Sequence, residues 1–297
     1  MVRIKENCPA CDAQAKKVVA ELDDKSRERF LKYSYLKYDG LLTDWLSELK
    51  PVVTRCERCG HCWYQDQPSD HQLSLMYSAG NRLHPEIKMT RDPSDRMLRE
   101  VKKLKSLVVE PEPSFLDYGS GFGRWARAAV QVGFEVYAFE PSKLRGAEEE
   151  APFSLVHDIN ALCGNTFDVI NLEQVLEHVS DPFEVLNGIH AFCHAKTLIR
   201  VTVPNILRCE EGRNIWREWP FNGRRVHIMA PFEHLHGFTP FSLNNLIKRA
   251  DYKTLPFHML LRHYPITAIR NLFRRIYPPA GQTKQLMTSG HLSISED

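Results

Sequence analysis

Two CxxC pairs, Cys8/Cys11 and Cys56/Cys59, specify chemistry most directly in this sequence. Each turn can aim two thiolates at one ion. Four thiolates complete a tetrahedral Zn²⁺ shell with no open position, so the expected role is structural. The pairs are separated by 44 residues, longer than common ribbon spacing. Cys62 could replace Cys59 or simply pack, and His61 is a weaker alternative ligand. Four unrelated buried thiols are the plainer alternative.

A second constellation lies at Phe115-Leu-Asp-Tyr-Gly-Ser-Gly-Phe-Gly-Arg-Trp-Ala. An apolar strand runs into Gly119-Ser120-Gly121-x-Gly123, with a helix expected after it. Glycines let the backbone turn tightly and let a ligand approach without a Cβ in the way. The helix start adds free N–H groups and a positive dipole end. The third glycine of a dinucleotide fingerprint would fall at Arg124, and Asp117 would repel a pyrophosphate. A carboxylate there suits a cationic amino group or a sulfonium. Glu140 ends the next expected strand, 21 residues after Gly119, where an acid accepts from ribose hydroxyls. Asp158 follows the third strand, where an acid can accept from an adenine amino group. Any one of these could be an ordinary loop acid. Three at consecutive strand ends beside a glycine loop argue against coincidence.

These residues need an alternating α/β layout behind them. Short apolar runs predict strands over Ser114–Tyr118, Glu135–Phe139, Ser154–Val156, Phe167–Leu172 and Thr197–Val203. Helices are expected over Arg124–Val132, Lys143–Glu150, Pro182–Phe192 and Ser242–Ala250. That pattern gives a layered α/β domain with a largely parallel sheet. Upstream, Met97, Leu98, Val101, Leu104 and Leu107 mark a helix within 91–107, capped near Ser94 or Asp95. Asp24 to Leu49 is loosely helical and broken at Gly40; 63–90 reads as irregular. Residues 204–239 read as a long insert without a clear period, the kind of loop that often carries function.

The chain has 297 residues, enough for roughly two domains. Its 39 basic and 37 acidic residues leave a net charge of +2, which gives no global pull toward nucleic acid. No apolar stretch is long enough to span a membrane. The start, MVRIKENCPAC, lacks the apolar core of a signal peptide. A cytoplasmic location is expected, where paired cysteines more often bind metal than form disulfides. The expected organisation is a zinc-binding N-terminal region over 1–80 and a helical linker over 81–112. A catalytic domain over 113–262 would carry a substrate-side insert at 204–239, and a basic tail would occupy 263–297. In that tail Ile266, Ile269, Leu272, Phe273 and Ile276 recur at helical spacing beside arginines. Such a helix either rests on an anionic membrane surface or packs with a solvated basic face.

The blocks LDYGSGFG (116–123), AFEPS (138–142), HDI (157–159), FDVINLEQVLEHVSDP (167–182), RVTVPN (200–205) and EHLHGFTPFSLNNLIKRADY (233–252) resemble, in order, the class I S-adenosylmethionine-dependent methyltransferases. The resemblance covers roughly 113–256 and implies a Rossmann-like seven-stranded sheet with a final antiparallel strand. It implies that Asp117 and the loop Gly119, Ser120, Gly121 and Gly123 hold the methionine part of the cofactor. It puts Glu140 on the ribose, Asp158 near the adenine, and Asn171, Leu172 and Glu173 beneath the methyl group. Some relatives hold a divalent cation with an ExxEH cluster. Here Gln174 replaces the first acid of Gln174-Val-Leu-Glu177-His178, which counts against a catalytic Mg²⁺.

His178 is a candidate general base, since an imidazole works near neutral pH. Its alternative is a loop-capping role shared with Glu177. His234 is a rival base, with His227 and His236 less supported. A zinc region ahead of this domain is similar to a group of bacterial methyltransferases acting on sugars and secondary metabolites, in which it helps cover the active site. The expected reaction is therefore O-methylation of a sugar or secondary-metabolite hydroxyl by S-adenosylmethionine. Trp216, Trp219 and Phe221 would offer walls for a ring, or else serve as core aromatics. Alternatives are a sugar C-methyltransferase, an RNA methyltransferase and a non-catalytic interaction module. RNA lacks a recognisable platform here, and the oligomeric state is open.

Overall fold

A computed structural model describes residues 3–38, 40, 45, 51–83, 91–143, 151–207, 215–222, 225–232, 234–255 and 282–288. The chain opens with β1 (Arg3–Ile4), β2 (Lys16–Glu21) and α1 (Asp24–Tyr38). Then follow β3 (Val52–Cys56), β4 (Cys62–Tyr64), β5 (Asp66–Gln67) and α2 (Asp70–Leu83). The region expected to be irregular, 63–90, thus holds two short strands and a helix. A local signal for the helix exists: Ser69 and Gln72 form reciprocal caps, Gln72 accepting from the Ser69 amide at 2.9 Å and Ser69 Oγ from the Gln72 amide at 3.3 Å. The strands carry no comparable local signal, because β4 is fixed by its neighbours.

Next comes α3 (Asp95–Lys105), with Ser94 as N-cap, lysines in the last turn, and Met97, Val101 and Leu104 buried. The catalytic part continues with β6 (Ser114–Tyr118), α4 (Arg124–Val132), β7 (Glu135–Phe139), β8 (Ser154–Val156) and β9 (Phe167–Glu173). After α5 (Pro182–Ile189) and β10 (Cys193–Pro204) come β11 (Phe221–Asn222), β12 (Arg225–Val226) and β13 (His236–Gly237). The chain closes with α6 (Pro240–Arg249), β14 (Lys253–Thr254) and β15 (Gln282–Thr288). The helix expected over Lys143–Glu150 lies, but for its first residue, outside the described residues, as does the apolar stripe from Ile266 to Ile276.

Among the described residues, seven strands form the main sheet in the order β14-β15-β10-β9-β6-β7-β8. Strands β6 to β10 are parallel, while β15 is antiparallel to β10 and to β14. Gln282–Thr288, assigned from sequence to a separate tail, is therefore an interior strand of this sheet. Its pairing partners lie far away in sequence, and QTKQLMT has no strong strand pattern of its own. Alternation along the parallel strands fills both faces. Phe115 and Val169 pack under α3 and α4, whereas Leu116 and Ile170 pack on the side of α5 and α6.

The order reverses direction between β6 and β9. Their carboxyl ends make the crevice where ligands bind in open α/β sheets.

The second sheet runs β13-β4-β3-β2, so a strand from the insert completes the N-terminal sheet. His236 pairs with Trp63 and Gly237 with Cys62. The insert is not structureless. Its ends meet where Ile206 donates to the Phe238 carbonyl at 2.9 Å, and its aromatics share one core with Phe30, Val53 and Tyr64. Trp219 and Phe221 are buried there, and Trp219 Nε1 donates to the Met229 carbonyl at 2.6 Å, so both are core side chains. Trp216 lies half-buried against His227. No helix among the described residues is long and apolar enough to cross a membrane.

Candidate active site

The glycine loop joins β6 to α4 with Gly119, Gly121 and Gly123 at φ of +74°, +56° and +71°. A Cβ on Gly119 would sit 2.7 Å from Val175, and one on Gly123 would sit 2.6 Å from Phe153. At Gly121 nothing lies within 4 Å, so that position faces open space that a ligand can enter. Both Gly119 and Ser120 donate their amides to the Phe139 carbonyl, which pins the loop to β7. The buried Ser120 Oγ makes no hydrogen bond among the described residues.

Asp117 is 1% exposed and spends both oxygens internally. One accepts from the Ala126 amide in the first turn of α4 at 3.0 Å, the other from Asn171 Nδ2 at 2.8 Å. Asp117 thus supplies from β6 a cap that Gly123, at the N-cap position, cannot provide. Burial pushes its carboxyl up to about 7, against the hydrogen bonds from Asn171 and Ala126 that favour the charged form. These bonds give Asp117 a role in building the turn of the glycine loop.

Asn171 Oδ1 accepts from Arg200 Nη1 at 2.6 Å, which leaves its amide facing Asp117. Arg200 is 2% exposed, pairs with Glu173 at 2.6 Å and stacks over Trp125 at 4.2 Å. Arg96 approaches Glu173 from outside at 3.5 Å. Asn171 and Glu173 therefore belong to one charged network under the crevice, and Leu172 is buried in the core. Arg200 was missed by motif reading. The signal was present: a cation inside the apolar run Leu-Ile-Arg-Val-Thr-Val needs a buried partner.

Glu140 is nearly buried, and its carboxylate accepts from the Gly121 amide at 2.8 Å and from the Ser142 amide at 3.0 Å. Each oxygen keeps acceptor capacity for a further donor. Asp158 is exposed, caps the turn Ile159–Leu162 and accepts from Asn160. It does not line the cavity described next.

That cavity, of about 390 Å³, is lined by Gly119, Glu140, Gln174, Val175 and His178, with Asp70, Leu73 and Ser74 of α2 on its N-terminal side. Ser180 Oγ donates to Asp70 Oδ1 at 2.9 Å, bracing α2 against the turn after β9. The α2 wall was not foreseen. His178 and His234 meet edge to face at 4.6 Å between ring centroids. Glu177, His178 and His234 each bring a ligand-type atom within 4.8 Å of the others. Glu177 is fully buried, and desolvation pushes its carboxyl up to about 8. His227 and His236 are buried and do not line the cavity, although His236 lies against the backbone of Val179 and Ser180, which do; desolvation pulls each imidazole down to about 4.

In the N-terminal region the four thiols of Cys8, Cys11, Cys56 and Cys59 lie within 4.8 Å of one another. Cys8–Cys59 and Cys11–Cys56 are both 3.6 Å apart at sulfur. A tetrahedron of thiolates at about 2.3 Å from Zn²⁺ has sulfur–sulfur edges of about 3.8 Å, so the donor set fits that ion. Without a cation the thiols split. The hydrogen bond with Cys59, then burial, pushes Cys8 up, and burial raises Cys11 to about 11. Although burial opposes it, the Cys59 and Arg58 amides draw Cys56 down. Gly60, at φ +73°, makes the turn after the second pair. Cys62 is not in the group. It sits in β4 with its thiol toward the Gly60 carbonyl. His61 is buried against His236 and Phe238.

A family model for methyltransferase domains matches residues 88–256. Similar solved structures include an S-adenosylmethionine-dependent methyltransferase from Mesorhizobium loti, with 17% identity over 64% of this chain and 97% of that one and a TM-score of 0.40. Another, from Archaeoglobus fulgidus, has 13% identity over 70% and 98%, with a TM-score of 0.45. The plantazolicin methyltransferase BpumL, solved with SAH, has 14% identity over 88% and 98%, with a TM-score of 0.47. No curated protein matches the chain significantly.

Proposed function

Because the chain belongs to the methyltransferase-domain family of S-adenosylmethionine-dependent enzymes, we propose that it methylates a hydroxyl group of a small molecule, first of all a sugar or secondary metabolite. The observation that carries this reading is the shared cavity of Gly119, Glu140 and His178, which brings the glycine-loop side and a candidate base to one space. Open space at Gly121, spare acceptor capacity on Glu140 and the orphan Ser120 Oγ fit a nucleoside-bearing cofactor.

S-adenosylmethionine supplies an electrophilic methyl group on a sulfonium, with S-adenosylhomocysteine as leaving product. Glu140 would accept from the ribose hydroxyls. The Gly119–Gly123 backbone would let the methionine portion lie close to α4. His178 would take the acceptor's hydroxyl proton as the new carbon–oxygen bond forms, with His234 beside it. The α2 wall would exclude water and hold the acceptor in line, which is where most of the rate gain arises in such a displacement. Structural zinc would be held by Cys8, Cys11, Cys56 and Cys59.

The test is to measure S-adenosylmethionine binding by calorimetry and then to incubate the chain with the methyl-labelled cofactor and a panel of nucleotide sugars, glycosides, phenolic metabolites and total RNA, reading products by mass spectrometry and NMR. Methyl ethers are expected. Label found only on carbon or only in RNA would overturn the hydroxyl assignment, and no cofactor binding at all would point to the non-catalytic module.

A further inference from the structure

We propose that Gln174 selects the acceptor, its carboxamide hydrogen-bonding a second polar group that neighbours the hydroxyl to be methylated. This deepens the function given above and rests on it.

Gln174 follows the last residue of β9 and holds a φ of +57°. A side chain in that left-handed region carries a steric cost that glycine avoids. Asp12, Phe232 and Asp251 also have positive φ. The two aspartates are exposed and of a type that tolerates it, and Phe232 is anchored in the aromatic core. Gln174 has neither feature and instead lines the cavity.

The kink re-aims the side chain. Ile170 and Leu172 point into the core on the side of α5 and α6, and strict alternation would send residue 174 after them. The Gln174 amide still donates to the Thr202 carbonyl at 2.8 Å, so the backbone stays tied to β10 as it turns. Val175 and Leu176 take the core positions, with Val175 against Gly119. Gln174 is left half-buried on the cavity wall that also bears His178.

Among the described residues the Gln174 carboxamide has no hydrogen-bond partner, whereas the adjoining Glu173 is committed to Arg200 and Arg96. A carboxamide both donates and accepts, so it can bind a hydroxyl of the acceptor in either sense. Being neutral, it adds no third carboxylate to a cavity already lined by Asp70 and Glu140. With His178 on the reacting hydroxyl, Gln174 would hold the one beside it. The acceptor class that fits is a ring bearing two adjacent hydroxyls, on a sugar or on a phenol.

The probes are two matched pairs, trans-1,2-cyclohexanediol against cyclohexanol and catechol against phenol. Each is titrated by ligand-observed NMR into the full chain loaded with S-adenosylhomocysteine. In at least one pair the diol is expected to bind about tenfold tighter than the mono-ol. Gln174→Met keeps the length and the backbone strain but loses the hydrogen bonds, and should bring that ratio to about twofold or less. Gln174→Gly should do the same while resisting denaturant at least as well as wild type, since it relieves the backbone. Affinity for S-adenosylhomocysteine should be unchanged in both. No diol binding up to about 50 mM, no preference in either pair, or a preference that survives in the variants overturns the proposal. A loss of cofactor affinity in place of the diol preference overturns it too. Should Gln174→Met fail to fold, Gln174→Gly decides alone. Methyl ethers formed from the labelled panel, with the diol preference intact in the variants, would remove Gln174 and leave the hydroxyl assignment standing; label only on carbon or RNA would remove that assignment, while the diol ratios are read without catalysis.

Discussion

The Glu177 carbonyl accepts the Leu235 amide at 2.7 Å, tying the turn after β9 to the segment that enters β13. β13 is the edge partner of β4, which begins three residues after Cys59. Main-chain hydrogen bonds therefore lead from the second cysteine turn to the wall that carries His178. Thr239, the N-cap of α6, also donates its hydroxyl to the Cys59 carbonyl at 3.0 Å, and Arg249 at the other end of α6 donates to the Pro9 carbonyl at 2.9 Å.

Cys59→Ser is expected to drop zinc below half an equivalent and to cost at least about 3 kcal/mol of stability. Elemental analysis and thermal melts with and without chelator measure both. A melt unmoved by chelation, or purified protein without zinc, would refute the assignment.

The glycines should separate into two classes. Gly119→Ala must hold φ at +74° and push Val175 aside, so a folding penalty of about 1–2 kcal/mol or more is expected. Gly121→Ala meets no neighbour, so its main loss should be cofactor affinity, read by calorimetry with S-adenosylhomocysteine. Equal folding penalties with normal affinity for Gly121→Ala would remove that loop from the binding site.

Asp117 gives a pH prediction. Its folded pKa is raised, so the folded chain keeps this proton when the unfolded chain has lost it. Its contribution is fully present below the ordinary value of 3.8 and is lost as pH rises to about 7, by up to about 4 kcal/mol. Relative to wild type, Asp117→Asn should therefore gain stability between pH 4 and pH 7 and stay level above that. Denaturant melts across that window decide it; a constant difference would mean Asp117 does not titrate there.

Arg200→Met should leave Glu173 facing the more distant, half-exposed Arg96 and free Asn171 to turn. A loss of about 3–5 kcal/mol is expected for breaking a buried pair from one side. Arg200→Lys should recover only part of it, since a lysine cannot hold both partners in one plane. Urea unfolding of the two variants is the measurement, and a neutral Arg200→Met would show that the network contributes nothing.

How much of this was legible in the sequence depended on how local the cause is. The strands Ser114–Tyr118 and Glu135–Phe139 and the helix Arg124–Val132 follow from apolar runs and glycine punctuation, and the structure has them at those bounds. The pairing of Trp63 with His236 does not, because neither flank looks like a strand until the other is present. The same holds for Gln282–Thr288 between β10 and β14. Within the site, Glu140 and Gly119 were visible from spacing. Asp70 and Leu73 on the cavity wall were not, since only folding brings α2 there.

β13 also bears on how such a gene can change. A segment of the catalytic half closes the sheet of the N-terminal half, and the two halves share the core around Tyr64, Trp219 and Phe232. Cutting the chain at residue 88, where the family match begins, would leave one fragment with an unpaired sheet edge and the other with bare aromatics. Recombination between relatives should therefore succeed when the N-terminal region and the 204–239 excursion travel together, and yield insoluble chimaeras when they are exchanged separately.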